Sequence, residues 1–380
     1  MPIVITGADG FIGKNLQLRL TELGHADIVG ITRATPLQAV QQALAAASFV
    51  FHLAGVNRPQ DPAEFATGNA GLTQTTCDAL MAAKNHAPLL LASSTHALQD
   101  NPYGRSKLAA ETAVLGYGAA TGAPVHVLRL PNVFGKWCKP NYNSAVATFC
   151  HNIARGLPIQ INNPAAAVTL VYVDDVIDRF LHLMDGDMVG VKQVNEAAEV
   201  ELAGFATVAP QYTTTVGELA RQIQAFKDSR TSLVTDRVGT GLVRALYATY
   251  VSYLPVEAFT YTVPQYVDAR GMFAEMLKTH DCGQFSFFTA HPGITRGGHY
   301  HHSKTEKFLV IKGQARFKFR HMQTGQTHEL TTTGDKSEIV ETVPGWTHDI
   351  TNVGADELIV MLWANEVFDR SRPDTFACPL

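Results

Sequence analysis

Three histidines and a glutamate crowd the stretch GGHYHHSKTEKF, residues 297–308. His299 and His301 are two apart in an expected strand, so both imidazoles would leave on one face. Glu306 follows after a turn at HSKT, and the later segment VPGWTHDITN supplies His348 from a separate strand. Three imidazoles and one carboxylate make a mixed nitrogen and oxygen donor set suited to zinc, iron, manganese or nickel. One divalent metal, with zinc the expected ion, is the reading adopted. Strand parity turns Tyr300 and His302 to the other face. His280, His291, His321 and His328 lack ligand spacing, and Phe308, Val310, Phe317 and Phe319 read as packing.

A second set of chemical residues lies near the start of the chain. The run PIVIT leads into TGADGFIGKNL, with Gly7, Gly10 and Gly13 in the spacing GxxGxxG. Glycines there allow a tight turn and the approach of a pyrophosphate to backbone amides, and the following helix N-terminus favours its negative charge. Further on, PLLLASS ends at Ser94, and NPYGRSK places Tyr103 and Lys107 four apart, on one face of a helix. An ammonium beside a phenol favours phenolate, so the spacing predicts a tyrosine tuned downward from about 10 toward acid–base work. Arg33 follows the second strand, in GITR, where selection of NAD would call for a carboxylate. A guanidinium there suits the extra phosphate of NADP(H).

These residues need a scaffold, and the hydrophobic rhythm predicts one. Up to about residue 190, short β-branched runs alternate with helical patterns, which implies a doubly wound parallel α/β sheet. Residues from about 195 to 255 read as the end of that domain and a connector, including a helix at TTTVGELARQIQAFKDSR capped by its threonines. From about 256 strands follow one another without helices, as in EKFLVIKGQARFKFRH and ELIVMLWAN, predicting an all-β barrel or sandwich. With 380 residues the chain is long enough for two cores. A hydrophobic share of 46% and a net charge of −4 give no sign of a nucleic-acid binder, and none is expected. No apolar run approaches the ~20 residues of a membrane span, and MPIVIT reads as a core strand rather than a leader. The expected location is the cytoplasm. The five scattered cysteines read as free thiols.

The glycine loop, HLAG at 52–55, Asn69, the Tyr103 and Lys107 pair and RLPNVFG at 129–135 together resemble the extended short-chain dehydrogenase/reductase family. The resemblance implies Ser94, Tyr103 and Lys107 as the catalytic set, with Thr95 the alternative to Ser94. It implies coenzyme contacts from Gly7, Gly10, Phe11, Ile12, Gly13, Arg33, Leu53, Ala54, Gly55, Asn69, Tyr103 and Lys107, and sugar-nucleotide contacts from Asn132 and Asn143. The spacing from Gly293 through His299, His301 and Glu306 to Gly313 resembles the first cupin motif, and His348 with Asn352 the second. Pro344 stands one residue nearer His348 than that pattern places it, which puts the local turn in question rather than the ligand. DARGMFAEM resembles a segment of cupin isomerases that epimerise nucleotide-linked 4-keto sugars, implying substrate contacts from Arg270 and Glu275; a helix start is the plainer alternative.

The expected organisation is thus a Rossmann reductase with a nucleotide-sugar lobe over 1–250 and a cupin over 256–380. The fusion resembles bifunctional capsular polysaccharide synthesis enzymes, which implies epimerisation at carbon 3 of a UDP-linked 4-keto sugar followed by NADPH-dependent reduction at carbon 4. A homodimer is expected. The alternatives are a single-activity reductase with a structural cupin, a cupin dioxygenase, and a nicotinamide-sensing module without turnover.

Overall fold

The computed structural model describes residues 1–186, 191–195, 198–202, 204–259, 261–302, 304–322, 324–371 and 373–380, with the backbone alone described in 191–195 and 198–202. The chain divides into two compact units, residues 1–223 with 245–254 and residues 224–244 with 255–380.

In the first unit the elements run β1 (Ile3–Thr6), α1 (Phe11–Glu22), β2 (Ile28–Ile31), α2 (Leu37–Ala46), β3 (Phe49–His52), a π turn (Ala66–Gly71), α3 (Leu72–Ala82), β4 (Leu89–Ser94), a 3-10 turn (Thr95–Leu98), α4 (Pro102–Thr121) and β5 (Val125–Leu130). There follow β6 (Asn132–Phe134), α5 (Ala145–Ala154), β7 (Ala167–Tyr172), α6 (Val173–Met184), β8 (Val191–Asn195), β9 (Ala198–Leu202), β10 (Phe205–Ala206) and β11 (Tyr212–Thr215). The main sheet has the order β10-β5-β4-β3-β1-β2 with every pair parallel. Central strands of such sheets are covered on both faces, which is why β1 and β3 are buried along their whole length. The chain leaves β1 for β2 on one side and returns to β3 on the other, so a crevice opens at the carboxyl ends of these strands. Val4, Val50, Leu91 and Val127 of the strands pack on Leu80, Val114 and Tyr117 of α3 and α4. A smaller sheet, β11-β7-β6, stands beside it.

α4 is bounded as its sequence dictates. Asn101 accepts a hydrogen bond from the Gly104 amide (2.8 Å), Pro102 occupies the first turn, and Gly122 ends the helix at φ 74°. α7 (Val216–Ser232) begins where Thr215 accepts from the Glu218 amide (3.2 Å), as its threonine start predicts. β12 (Val234–Thr235) and α8 (Gly241–Ser252) follow.

The second unit continues with β13 (Gln265–Asp268), β14 (Gly271–Thr279), β15 (Gln284–Ala290), β16 (Thr295–Tyr300), β17 (Glu306–Lys312) and β18 (Gln314–His321). It ends with β19 (Thr327–Thr333), β20 (Ile339–Glu341), β21 (Trp346–Asn352), β22 (Leu358–Ala364) and β23 (Phe376–Ala377). Two sheets form, β12-β14-β15-β22-β17-β20 with β13 on β14, and β19-β18-β21-β16-β23. Phe288, Phe308, Val310, Phe317, Ile350 and Val360 fill the space they enclose, which is the cupin arrangement. Residues 234–235, taken from sequence as part of a connector, pair in parallel with Lys278 and Thr279 of this unit. DARGMFAEM is a hairpin of β13 and β14, not a helix start.

Candidate active sites

The crevice of the first unit is a cleft of about 1080 Å³. Gly7, Gly10, Phe11, Ile12, Gly13, Leu53, Gly55, Ser94, Thr95, Tyr103, Lys107, Asn132 and Asn143 all line it, whereas Ala54, Asn69 and Arg33 do not. Gly7 turns at φ 69°, and a Cβ on Gly13 would lie 2.3 Å from the Gly7 carbonyl oxygen. No larger residue fits between loop and helix, so the cradle has the shape a pyrophosphate needs at the start of α1. Ala54 backs the same turn, since a Cβ on Gly7 would meet its backbone at 2.8 Å. Arg33 is exposed just past β2, in a turn closed by Thr32 and Thr35 whose own residues, TRAT, include no carboxylate.

The two serines ending β4 point opposite ways. Ser93 donates to Glu111 (2.5 Å), which grips Arg129, and so is structural. Ser94 faces the cleft and hydrogen-bonds the Tyr103 phenol. Tyr103 also donates to Asn57 Oδ1 (3.4 Å) and packs on Phe65 and His96. Lys107, one turn along, is buried and donates to the Ala92 carbonyl (3.1 Å). Burial lowers the Lys107 amine to about 8, with Glu111 opposing. Burial pushes the Tyr103 phenol above its ordinary value, and the Ser94 hydrogen bond only partly offsets this. The expected lowering of this tyrosine by Lys107 is not met here: burial, opposed by Ser94 alone, sets the direction. Asn132 donates to the Thr169 carbonyl (3.0 Å), and Asn143 accepts from Arg58 (3.3 Å).

In the second unit, a register shift in β16 between Gly297 and His299 sets His299 opposite His348 of β21. The rings of His299, His301 and His348 lie 4.8 to 5.2 Å apart, and Glu306 at the start of β17 closes the group. Their donor atoms all fall within 4.8 Å of one another. Glu306 Oε2 is 3.2 Å from His301 Nε2 and 3.5 Å from His348 Nε2. Bonds of about 2.1 Å in a tetrahedron put neighbouring donors ~3.4 Å apart, so the spacing fits zinc or a similar ion. Both ring nitrogens of His348 are buried without a hydrogen-bond partner, which a metal bond at one of them would relieve. Burial acts to raise the Glu306 carboxyl, but His301, His348 and the nearby Lys304 ammonium (3.4 Å) hold it well below the usual range.

The four predicted ligands thus converge, while His302 and Tyr300 turn aside to pack on Phe376. Behind Pro344 the turn closes through Gly345 at φ 80°, and His348 stays in place. Arg270 is held by Asp268 and Glu275 by Lys278 (2.8 Å), and neither residue belongs to the metal group. By register Glu275 faces Ser286, whose buried hydroxyl has no partner. Sequence reasoning missed Asn57, Lys304 and Asp374. The Asp374 carbonyl accepts from His301 Nδ1, and its carboxylate accepts from the amides of His302 (2.9 Å) and Lys304 (2.8 Å). It stands some seventy positions from those partners, and no local motif links it to them.

Known proteins share both halves. Residues 3–195 match the NAD dependent epimerase/dehydratase family, and 266–376 match the polysaccharide biosynthesis C-terminal domain. A UDP-2-acetamido-2,6-beta-L-arabino-hexul-4-ose reductase of Pseudomonas aeruginosa is 57% identical over 378 residues, covering 100% of this chain and 98% of that one. The crystal structure of capsular polysaccharide assembling protein CapF from Staphylococcus aureus superimposes with a TM-score of 0.89 at 40% identity, over 100% of both chains. UDP-glucose 4-epimerase of Thermotoga maritima shares only the fold, at TM-score 0.54 and 18% identity over 67% of this chain and 98% of that one. The chain belongs to the NAD dependent epimerase/dehydratase family, in the branch that carries a polysaccharide biosynthesis C-terminal domain.

Proposed function

We propose that the chain is a bifunctional nucleotide-sugar enzyme. Its cupin inverts carbon 3 of a UDP-linked 2-acetamido-2,6-dideoxy-4-hexulose, and its first unit reduces the ketone at carbon 4. The product is UDP-2-acetamido-2,6-dideoxy-L-talose, which leads to UDP-N-acetyl-L-fucosamine for capsule or O-antigen polysaccharide. The observation that carries this reading is the pairing, in one chain, of a Ser94, Tyr103 and Lys107 cleft with a three-histidine, one-glutamate group. Identity to the 4-keto-sugar reductase along the whole chain supports the substrate class.

When bound, a nicotinamide coenzyme supplies the hydride and a divalent metal supplies positive charge beside the substrate oxygen. Gly7, Gly10 and Gly13 would hold the pyrophosphate, and Arg33 the extra phosphate of NADPH. Ser94 positions the sugar oxygen, Tyr103 gives it a proton, and the Lys107 ammonium stabilises the tyrosinate left behind. Asn132 and Asn143 contact the sugar nucleotide. His299, His301, Glu306 and His348 would hold zinc. In the cupin, Arg270 and Glu275 bind substrate near the carbon that loses and regains its proton. The enzyme works as a homodimer in the cytoplasm.

Proton NMR of the 4-keto UDP-sugar with NADPH in deuterated water tests this. Wild type is expected to place deuterium at carbon 3 and form the reduced sugar. Tyr103→Phe should keep exchange at carbon 3 and lose reduction, whereas His299→Ala should lose exchange and reduce only sugar that has already been inverted. Loss of exchange in Tyr103→Phe, or failure of His299→Ala to reduce inverted sugar, would sink the assignment. A single-activity reductase with a structural cupin is the second reading, favoured by the name of the Pseudomonas relative, which states a reductase alone. It predicts no deuterium at carbon 3.

A further inference from the structure

His52, at the end of β3, is fully enclosed behind the cleft and makes two side-chain hydrogen bonds, each 2.9 Å. Nδ1 meets Thr6 Oγ1, and Nε2 meets Thr73 Oγ1. The proton positions follow from what each hydroxyl must satisfy. The Ala54 amide donates into Thr6 Oγ1 (3.2 Å), so the Thr6 proton is left to point at His52 Nδ1. Nδ1 is then the acceptor and Nε2 carries the hydrogen, which it gives to Thr73 Oγ1. Thr73 in turn donates to the Asn69 carbonyl (2.8 Å). The opposite tautomer would strand the Thr6 proton between two donors. Burial, with the Lys107 charge, lowers the His52 imidazole to about 3, so the neutral ring this chain requires is the one present.

Both ends of the chain of bonds grip the same piece of backbone. At one end Ala54 is tied through Thr6 to β1. At the other, the Asn69 side chain accepts from the Val56 amide (2.8 Å) and donates to the Val56 carbonyl (3.1 Å) and to Ser106 (3.0 Å) of α4. Between these ties stands Gly55, where a Cβ would lie 2.8 Å from Asn69 and 3.6 Å from Lys107 Nζ. Just beyond is Asn57, the acceptor for the Tyr103 phenol.

We propose that His52 is a positioning residue of the coenzyme cleft, fixing the Leu53–Asn57 wall through one directional line of hydrogen bonds from Ala54 to Asn69. Asn69, expected from sequence to touch coenzyme, then acts from behind that wall. The inference rests on the reading of this cleft as a coenzyme site.

The test is NADPH fluorescence titration of the full-length protein, with thermal melting as the measure of intact folding and deuterium exchange at carbon 3 as the readout of the other site. His52→Phe removes both hydrogen bonds, and Thr6→Val removes the Ala54 arm while preserving shape. Each should weaken NADPH binding about tenfold or more, the scale of one stranded buried group. Exchange at carbon 3 should remain within about twofold of wild type, since uncoupled sites respond independently. His52→Asn keeps an acceptor at the Nδ1 position and should recover most of the affinity lost in His52→Phe. NADPH affinity unchanged in Thr6→Val, or no recovery in His52→Asn, overturns the proposal. If His52→Phe fails to fold, Thr6→Val decides by itself. Failure of wild type to bind NADPH would overturn the coenzyme reading as well.

Discussion

In the proposed reaction Lys107 is a residue that works against the fold while serving the chemistry. Its amine is lowered from 10.5 to about 8 by burial, so the folded protein gives up this proton earlier than the unfolded chain does. Between those values the unfolded state binds more protons, and stability therefore rises with pH across the window. Below about pH 8 the buried ammonium is present and its full cost is borne. Reduction should move the other way, because kcat/KM reports the free enzyme and falls as the ammonium is lost above about pH 8. Melting of wild type against Lys107→Met from pH 7 to 10 is expected to show the wild type gaining relative stability as its reductase rate declines. A parallel rise or parallel fall of the two would show that Lys107 does not titrate there. Arg33 gives a second residue-scale prediction: Arg33→Ala should raise KM for NADPH by about tenfold and leave KM for NADH nearly unchanged, an arginine–phosphate contact being worth that much. Equal effects on the two coenzymes would remove Arg33 from the phosphate site.

Elements decide how closely these residues can meet, and some of that was readable in the chain. The glycine loop, the helix bearing Tyr103 and Lys107 and the grouping of three histidines with Glu306 were legible because each follows from spacing on a strand or helix. Gly13 is legible for another reason: a Cβ there would run into the backbone at Gly7 and Ala8, and backbone cannot swing aside. Gly13→Ala should push α1 away, lower stability by about 1–3 kcal/mol and weaken NADPH binding, as thermal melts and fluorescence titration would show. What spacing could not carry was partnership between distant segments. β12 joins the second unit by pairing with β14, although its short run Val234–Thr235 has no periodicity to announce it. Tyr103 was expected to be tuned by a charge on its own helix, but burial, a property of the assembled cleft, set the direction. The segment from Asp374 to β23 is the third case. Its carbonyl fixes His301 with the proton on Nδ1 and leaves Nε2 facing Glu306. Such outer partners are worth about 10–100-fold in metal affinity, so Asp374→Ala, which frees the His302 and Lys304 amides, should lower zinc affinity in chelator competition. Unchanged affinity would show that the backbone alone holds the ligand.

At the scale of the whole chain, the proposed reaction has one ketone serving both units. On that reading it acidifies the neighbouring carbon for the cupin and then accepts hydride in the first unit, so one functional group on the sugar serves both sites in turn. Each unit has its own apolar core, and among the described residues the Ser94, Tyr103 and Lys107 cleft and the three-histidine, one-glutamate group share no side chain. It follows that a molecule lacking reduction and a molecule lacking inversion should complement one another through released sugar. Tyr103→Phe and His299→Ala proteins, each expected to form none of the reduced product alone, should form it when mixed. The linked sites of wild type gain from an effective concentration that separate molecules lack, so the mixture should show a lag that shortens as both variants are made more concentrated. Wild type should show no such dependence beyond proportionality to enzyme. A mixture that stays inactive at every concentration would mean that the inverted sugar never leaves the molecule that made it, and that the two sites are coupled by direct transfer rather than by sharing a substrate.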